Sequence, residues 1–106
     1  MEFKPKKVSE ATCVAECYYR LRLKNIPCAL EYKKDNCRFD MVILNQKRNV
    51  IIAIVEFKNK RKKEIKKSKQ YYKYLNYNLP LLYYTKLGQM DDLVKKITVI
   101  YKNKKT

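Results

Sequence analysis

The stretch Val50-Ile51-Ile52-Ala53-Ile54-Val55 is β-branched at five of its six positions and runs directly into Glu56-Phe57-Lys58. Such side chains are stiff at χ1, which weakens a helix and suits a pleated surface. The segment therefore predicts a strand over 50–58. The six-residue apolar run is far short of the roughly 20 residues that a membrane-spanning helix requires.

The other elements are read around this strand. Ser9 is placed to cap a helix over 10–24, whose apolar positions Ala11, Val14, Cys17, Tyr18 and Leu21 recur at three- and four-residue spacing. Asn25-Ile26-Pro27 ends it, 28–33 reads as a strand, and Asp35-Asn36 is turn chemistry suited to a tight hairpin. A strand over 38–44 and a polar loop over 45–49 lead into the apolar run. A second helix is expected over 64–77, with Ile65, Tyr71, Tyr72 and Leu75 on it, and Pro80 opens a short strand to position 84. One or two helical turns over 89–96, a last strand over 97–101 and a frayed basic tail over 102–106 complete the expectation. The fold class implied is α/β, with a mixed central sheet flanked by helices in one domain over 1–106, its core spanning about 9–101.

Composition narrows the chemistry. With no histidine, Ser-His-Asp and Cys-His nucleophiles, histidine general bases and HNH-type nuclease sites are excluded. Gly88 is the only glycine, so no glycine-rich phosphate loop can form. The four cysteines (Cys13, Cys17, Cys28 and Cys37) lack paired short-spacing motifs, and without histidine a mixed zinc site is ruled out. They are read as reduced core thiols. Positions 1–5 show no apolar stretch of secretory type, so a soluble, cytoplasmic protein is expected.

Charge points to a partner. Lys and Arg number 26 against 10 Asp and Glu, a net +16. A polyanion would bind such a chain with salt-sensitive affinity as its counterions are released. A lysine-rich coding bias accounts for part of this excess. It accounts less well for the segment from Phe57 to Lys73, where nine basic residues face one acid, Glu64.

Strand parity gathers the candidate site. Side chains two apart share a face, which groups Glu56 with Lys58, and Asp40 with Val42 and Leu44. A hairpin about 45–49 puts Asp40 opposite either Ile54 or Glu56, and both registers bring two carboxylates and an amine to one end of the ribbon. Taken singly, each also fits a solvated strand end or a surface ion pair with Arg38. Together they form a repulsive arrangement that a hard divalent cation, Mg²⁺ or Mn²⁺, would relieve. Such an ion supports phosphodiester hydrolysis, with Lys58 positioning the attacking water or stabilising developing charge.

Arg38-Phe39-Asp40-Met41-Val42 and Ile54-Val55-Glu56-Phe57-Lys58 together resemble the PD-(D/E)XK nuclease superfamily, particularly its small phage-type, Holliday-junction-resolvase-like members. Gln70 and Tyr74 match the Gln-x-x-x-Tyr spacing of the RecB-like branch. Phe39 stands where the nominal pattern has proline, a position that varies widely in the superfamily. The resemblance covers 9 to about 85. It implies a restriction-endonuclease-like αβββαβ core and a Mg²⁺-dependent endodeoxyribonuclease. Asp40, Glu56 and the Phe57 carbonyl would be metal ligands, Lys58 would act on the nucleophile, and the face of Gln70 and Tyr74 would support the site. A further acid is expected from the first helix. Glu10 lies in line with Val14, Cys17 and Leu21, while Glu16 and, on the first strand, Glu31 remain open. Lys60, Arg61, Lys62, Lys63 and Lys67 would meet phosphates flanking the cut, with Tyr74 beside them. No segment is built to read base edges, and cutting both strands or a branched junction would be easiest as a homodimer. The alternatives are a non-catalytic basic nucleic-acid-binding module with a nuclease-like fold, and a small ribosome-associated protein.

Overall fold

The computed structural model describes residues 10–34, 37–57, 78–84 and 89–106. Among them the elements are α1 (Glu10–Leu23), β1 (Cys28–Lys34), β2 (Cys37–Leu44), β3 (Ile51–Phe57), β4 (Leu81–Tyr84) and α2 (Met90–Lys104). The sheet order is β1-β2-β3-β4. The first two pairings are antiparallel and β3 pairs with β4 in parallel, a small α/β fold with a mixed sheet and two helices among the described residues.

Helix α1 ends as its sequence requires. Asn25 adopts a positive φ of 57°, the Ile26 N–H reaches back to the Leu21 carbonyl, and the Asn25 N–H reaches that of Arg22. This paired capping satisfies the last carbonyls and turns the chain toward β1. Cys17 and Leu21 are fully buried, Cys13 nearly so, and Val14 and Tyr18 pack at the margin. Ala11, expected on the inward stripe, is exposed.

Every residue from Ile52 to Phe57 is buried, which explains why the run is continuously apolar instead of alternating. One face of the sheet carries Met41, Ile43, Ile52, Ala53, Val55 and Phe57, and both described helices pack on it through Cys13, Cys17, Leu21, Met90, Leu93, Val94 and Ile97. The opposite face carries Phe39, Val42 and Ile54, with Ala29, Tyr32, Leu44, Ile51, Leu79 and Leu81 against them.

The C-terminal expectation is corrected. In place of a short helix over 89–96, a strand over 97–101 and a frayed tail, α2 runs unbroken from Met90 to Lys104. The β-branched residues Ile97, Thr98, Val99 and Ile100 favour a strand locally. Met90, Leu93, Val94 and Ile97 are buried at helical spacing, however, and the tertiary contact of that stripe overrides the local preference. Asp91 and Asp92 in the first turn and Lys102 and Lys104 in the last also complement the helix dipole. The segment expected to fray is tethered, because the Gln46 N–H donates to the Lys105 carbonyl at 2.8 Å. No helix among the described residues is long and apolar enough to cross a membrane.

The second expected helix, over 64–77, lies outside the described residues, as does the Asp35-Asn36 turn.

Candidate functional site

The β2–β3 connection sets the register of the site. Asn45 is buried, and its Oδ1 accepts from the backbone N–H groups of Asn49 and Val50 at 3.0 and 3.1 Å, while its Nδ2 donates to Asn49 Oδ1. Next to this loop Leu44 pairs with Ile51, but Ile43 pairs with Ala53, so Ile52 is a bulged extra residue. Without the bulge the odd-sum pairing at the loop would carry through and set Asp40 opposite Val55, on the wrong face. With it, Met41 pairs with Val55 and Val42 with Ile54, and Asp40 and Glu56 become the next positions along the two strands. Of the two registers open to the sequence, this is the one that aligns the acids.

Simple alternation does not describe Asp40 itself. Phe39 and Val42, three residues apart, pack on the same face, as do Ala29 and Tyr32 on β1. Between them β1 holds Glu31 at a φ of 51°, a left-handed conformation costly for a non-glycine residue. The flanking pairs Leu30↔Met41 and Tyr32↔Phe39 put Glu31 across from Asp40. The ribbon thus reverses its alternation at the candidate acid.

Asp40 is anchored at this reversal. The Ile54 N–H donates to the Pro80 carbonyl at 3.0 Å, so N–H groups of even-numbered β3 residues point to β4 and those of Val55 and Phe57 point to β2. A continued ladder would bring the Phe57 N–H to the Phe39 carbonyl. Asp40 Oδ2 accepts from that N–H at 2.9 Å. In an extended strand a residue's carbonyl points to the same side as its N–H. The Phe57 carbonyl is therefore also directed toward the Asp40 strand.

Glu56 is 0% exposed and lies on the face of Ile54. A wholly buried glutamate is rare without a specific role or partner, since its ionised form is penalised by desolvation. Across the parallel pairing its partner is Tyr83. The Glu56 Oε1 and the Tyr83 hydroxyl are both buried atoms. Tyr83 was not among the residues singled out from sequence, because which strand joins β3, and in what register, is not written in local pattern.

The other acids are placed elsewhere. Glu16 forms an ion pair with Arg20 at 2.9 Å, and Arg20 also pairs with Asp91 at the start of α2, so Glu16 serves the α1–α2 contact. Glu31 pairs with Arg38 at 3.0 Å, both largely exposed. The Arg38 ion pair is thus made across β1–β2 with Glu31. Glu10 opens α1, and its side chain lies outside what the structure describes. Lys58, Lys60, Arg61, Lys62, Lys63, Lys67, Gln70 and Tyr74 also lie outside the described residues.

Among the described residues no group of three Asp, Glu, Cys or His side chains gathers. The donors this end of the ribbon offers are two carboxylates and a backbone carbonyl, an oxygen-only set that fits a hard divalent cation. Cys17 and Cys28 do not join it. Burial, then the nearby Cys28, pushes the Cys17 thiol up to about 12, and burial pushes Cys28 up to about 11. Both are protonated at neutral pH and poor ligands or nucleophiles. Cys17 Sγ instead lies 4.0 Å from Met41 Sδ in the core.

Comparison with protein-family models, with curated proteins and with solved structures gave no match.

Proposed function

We propose that this chain is a Mg²⁺- or Mn²⁺-dependent DNA endonuclease, structure-specific or weakly sequence-specific, built on a restriction-endonuclease-like core. The observation that carries the reading is the anchoring of Asp40 by the Phe57 N–H at the strand position next to fully buried Glu56. One Asp40 oxygen is engaged by the backbone, which leaves the other to bind a cation beside the Glu56 carboxylate and the Phe57 carbonyl. A like-charged pair at the end of an apolar sheet is costly unless a cation compensates it. The order helix, three antiparallel strands, then a strand parallel to the third also supports the core assignment. A parallel connection needs a long crossover, usually a helix, which is where 64–77 was expected to be helical.

Bound there, a divalent ion supplies Lewis-acid stabilisation of charge on the phosphate. The protein's share is to fix the acids and to bring an amine. In the hydrolysis a water molecule gives up a proton as its oxygen bonds to phosphorus, the bond to the bridging sugar oxygen breaks, and that oxygen takes up a proton. Lys58, two residues beyond Glu56, is assigned the role of orienting the water and stabilising the charge that develops. The basic residues between 60 and 67 and the net charge of +16 fit a phosphate backbone as the substrate.

The test is nicking of supercoiled plasmid and cutting of a four-way junction in Mg²⁺ or Mn²⁺, with wild type beside Glu56→Ala and Lys58→Ala. Both variants should lose at least about 100-fold in rate while keeping the wild-type circular-dichroism spectrum and DNA binding. Cleavage that persists in both, or proceeds undiminished in EDTA, overturns the proposal. Salt-sensitive binding with no turnover in any divalent metal would assign the chain to the non-catalytic binding class.

A further inference from the structure

Asp40 is held by a group from the neighbouring strand, and the parallel edge raises the same question for Glu56. Register sets Tyr83 of β4 directly beside it. Leu81, two residues earlier on β4, packs with Ile54, two residues earlier on β3, so Tyr83 and Glu56 stand on one face. Adjacent strands lie about 4.8 Å apart, so the two residues occupy neighbouring positions on that face.

The disposition of Tyr83 is informative. A tyrosine at a sheet margin ordinarily turns its hydroxyl to water and buries its ring. Tyr83 is only half-buried as a residue, yet its hydroxyl oxygen is buried, as is Glu56 Oε1. A phenol is a donor as well as an acceptor, whereas an ionised carboxylate only accepts. Set side by side in a water-poor place, the two are complementary, and a phenol-to-carboxylate hydrogen bond is of the strong, charge-assisted kind.

We infer that Tyr83 is a positioning residue for Glu56, its O–H becoming the donor that orients the Glu56 carboxylate when a divalent ion is bound. The inference rests on the nuclease reading above and extends it to a residue on a strand that brings no acid of its own. Carboxylates that ligate metals are themselves held by hydrogen bonds, and loss of such a partner typically costs 10–100-fold in metal affinity. Each acid of the site would then be fixed by a different neighbour, Asp40 by the β3 backbone and Glu56 by the β4 side chain.

The experiment compares the full-length wild type with Tyr83→Phe, which keeps the ring and its packing and removes only the hydroxyl. Mn²⁺ affinity is measured by isothermal titration, and plasmid nicking is followed across a Mn²⁺ series, with melting temperature as a control. The expected result is roughly a 10-fold or greater rise in the Mn²⁺ dissociation constant. Nicking should fall at limiting Mn²⁺ and recover at high Mn²⁺, with KM for DNA unchanged. A merely structural role would move the melting temperature and leave no metal-dependent rescue. Wild-type binding of Mn²⁺ that Tyr83→Phe leaves within twofold overturns this inference alone. A wild-type chain that binds no Mn²⁺ overturns the nuclease reading and the inference with it.

Discussion

Replacing Asp40 separates its structural bond from its proposed chemical role. Asp40→Ala removes a charged acceptor of the Phe57 N–H, a bond of 2.9 Å. Phe57 is 1% exposed, so solvent has poor access to replace that acceptor. A hydrogen bond to a charged group contributes about 1.5–3 kcal/mol. An unfolding entropy near 2.1 cal/mol/K per residue amounts to about 0.22 kcal/mol/K for a chain of 106 residues. The loss then corresponds to a fall in Tm of about 7–13 °C. Asp40→Asn keeps an oxygen acceptor in the same place but makes it neutral, and neutral bonds are roughly half as strong. That variant should fall by about half as much, about 3–7 °C. Both should be inactive, because neither offers a carboxylate to a cation. The assay is thermal unfolding followed by circular dichroism, in EDTA so that bound metal makes no contribution, alongside plasmid nicking. An Asp40→Ala protein melting within about 2 °C of wild type, against the several degrees worked out above, refutes the anchoring argument. So does an Asp40→Asn protein that melts as low as Asp40→Ala.

Two more outcomes follow from burial. Ile97 is 0% and Val99 58% exposed, on opposite sides of α2. Ile97→Ala should therefore cost about 2–5 kcal/mol and Val99→Ala no more than about 0.5 kcal/mol, read from urea midpoints. Comparable losses would restore a strand at 97–101, where the two would share a face. The second outcome concerns pH. Cys17 has its pKa raised from 9.0 to about 12, chiefly by burial, so the folded state holds this proton more tightly than the unfolded chain. The associated stability is fully present below pH 9.0 and is lost as pH rises toward about 12, at about 1.4 kcal/mol per unit for this group. Urea midpoints at pH 8 and pH 10 should show a shallower decline for Cys17→Ala than for wild type, and equal slopes would contradict the assignment.

Much of the sheet was legible from local pattern. The strands expected over 28–33, 38–44 and 50–58 are found at Cys28–Lys34, Cys37–Leu44 and Ile51–Phe57, and Pro80 does precede β4. Turn chemistry at Asn25 and the β-branched run left little freedom there. The candidate acids could also be singled out from sequence, since Asp40 and Glu56 are the carboxylates in two largely apolar strands. The error fell at 97–101, where β-branched residues argue for a strand in isolation. The helical stripe of Met90, Leu93, Val94 and Ile97, with acids before it and lysines after it, was the signal that could have corrected it.

What the sequence determined alone was which segments extend, where they turn, and which charged residues lie within them, because propensity and periodicity are properties of neighbours along the chain. Tertiary structure decided the rest. The bulge at Ile52 chose the register that aligns Asp40 with Glu56, and the left-handed Glu31 lies across from Asp40 where the alternation of both strands reverses. The parallel docking of β4 brought Tyr83 to Glu56, and the sheet face that buries Ile97 drew a strand-prone segment into a helix. Each of these depends on contacts between residues distant in sequence, whose energies exceed the roughly 1 kcal/mol by which local preferences differ.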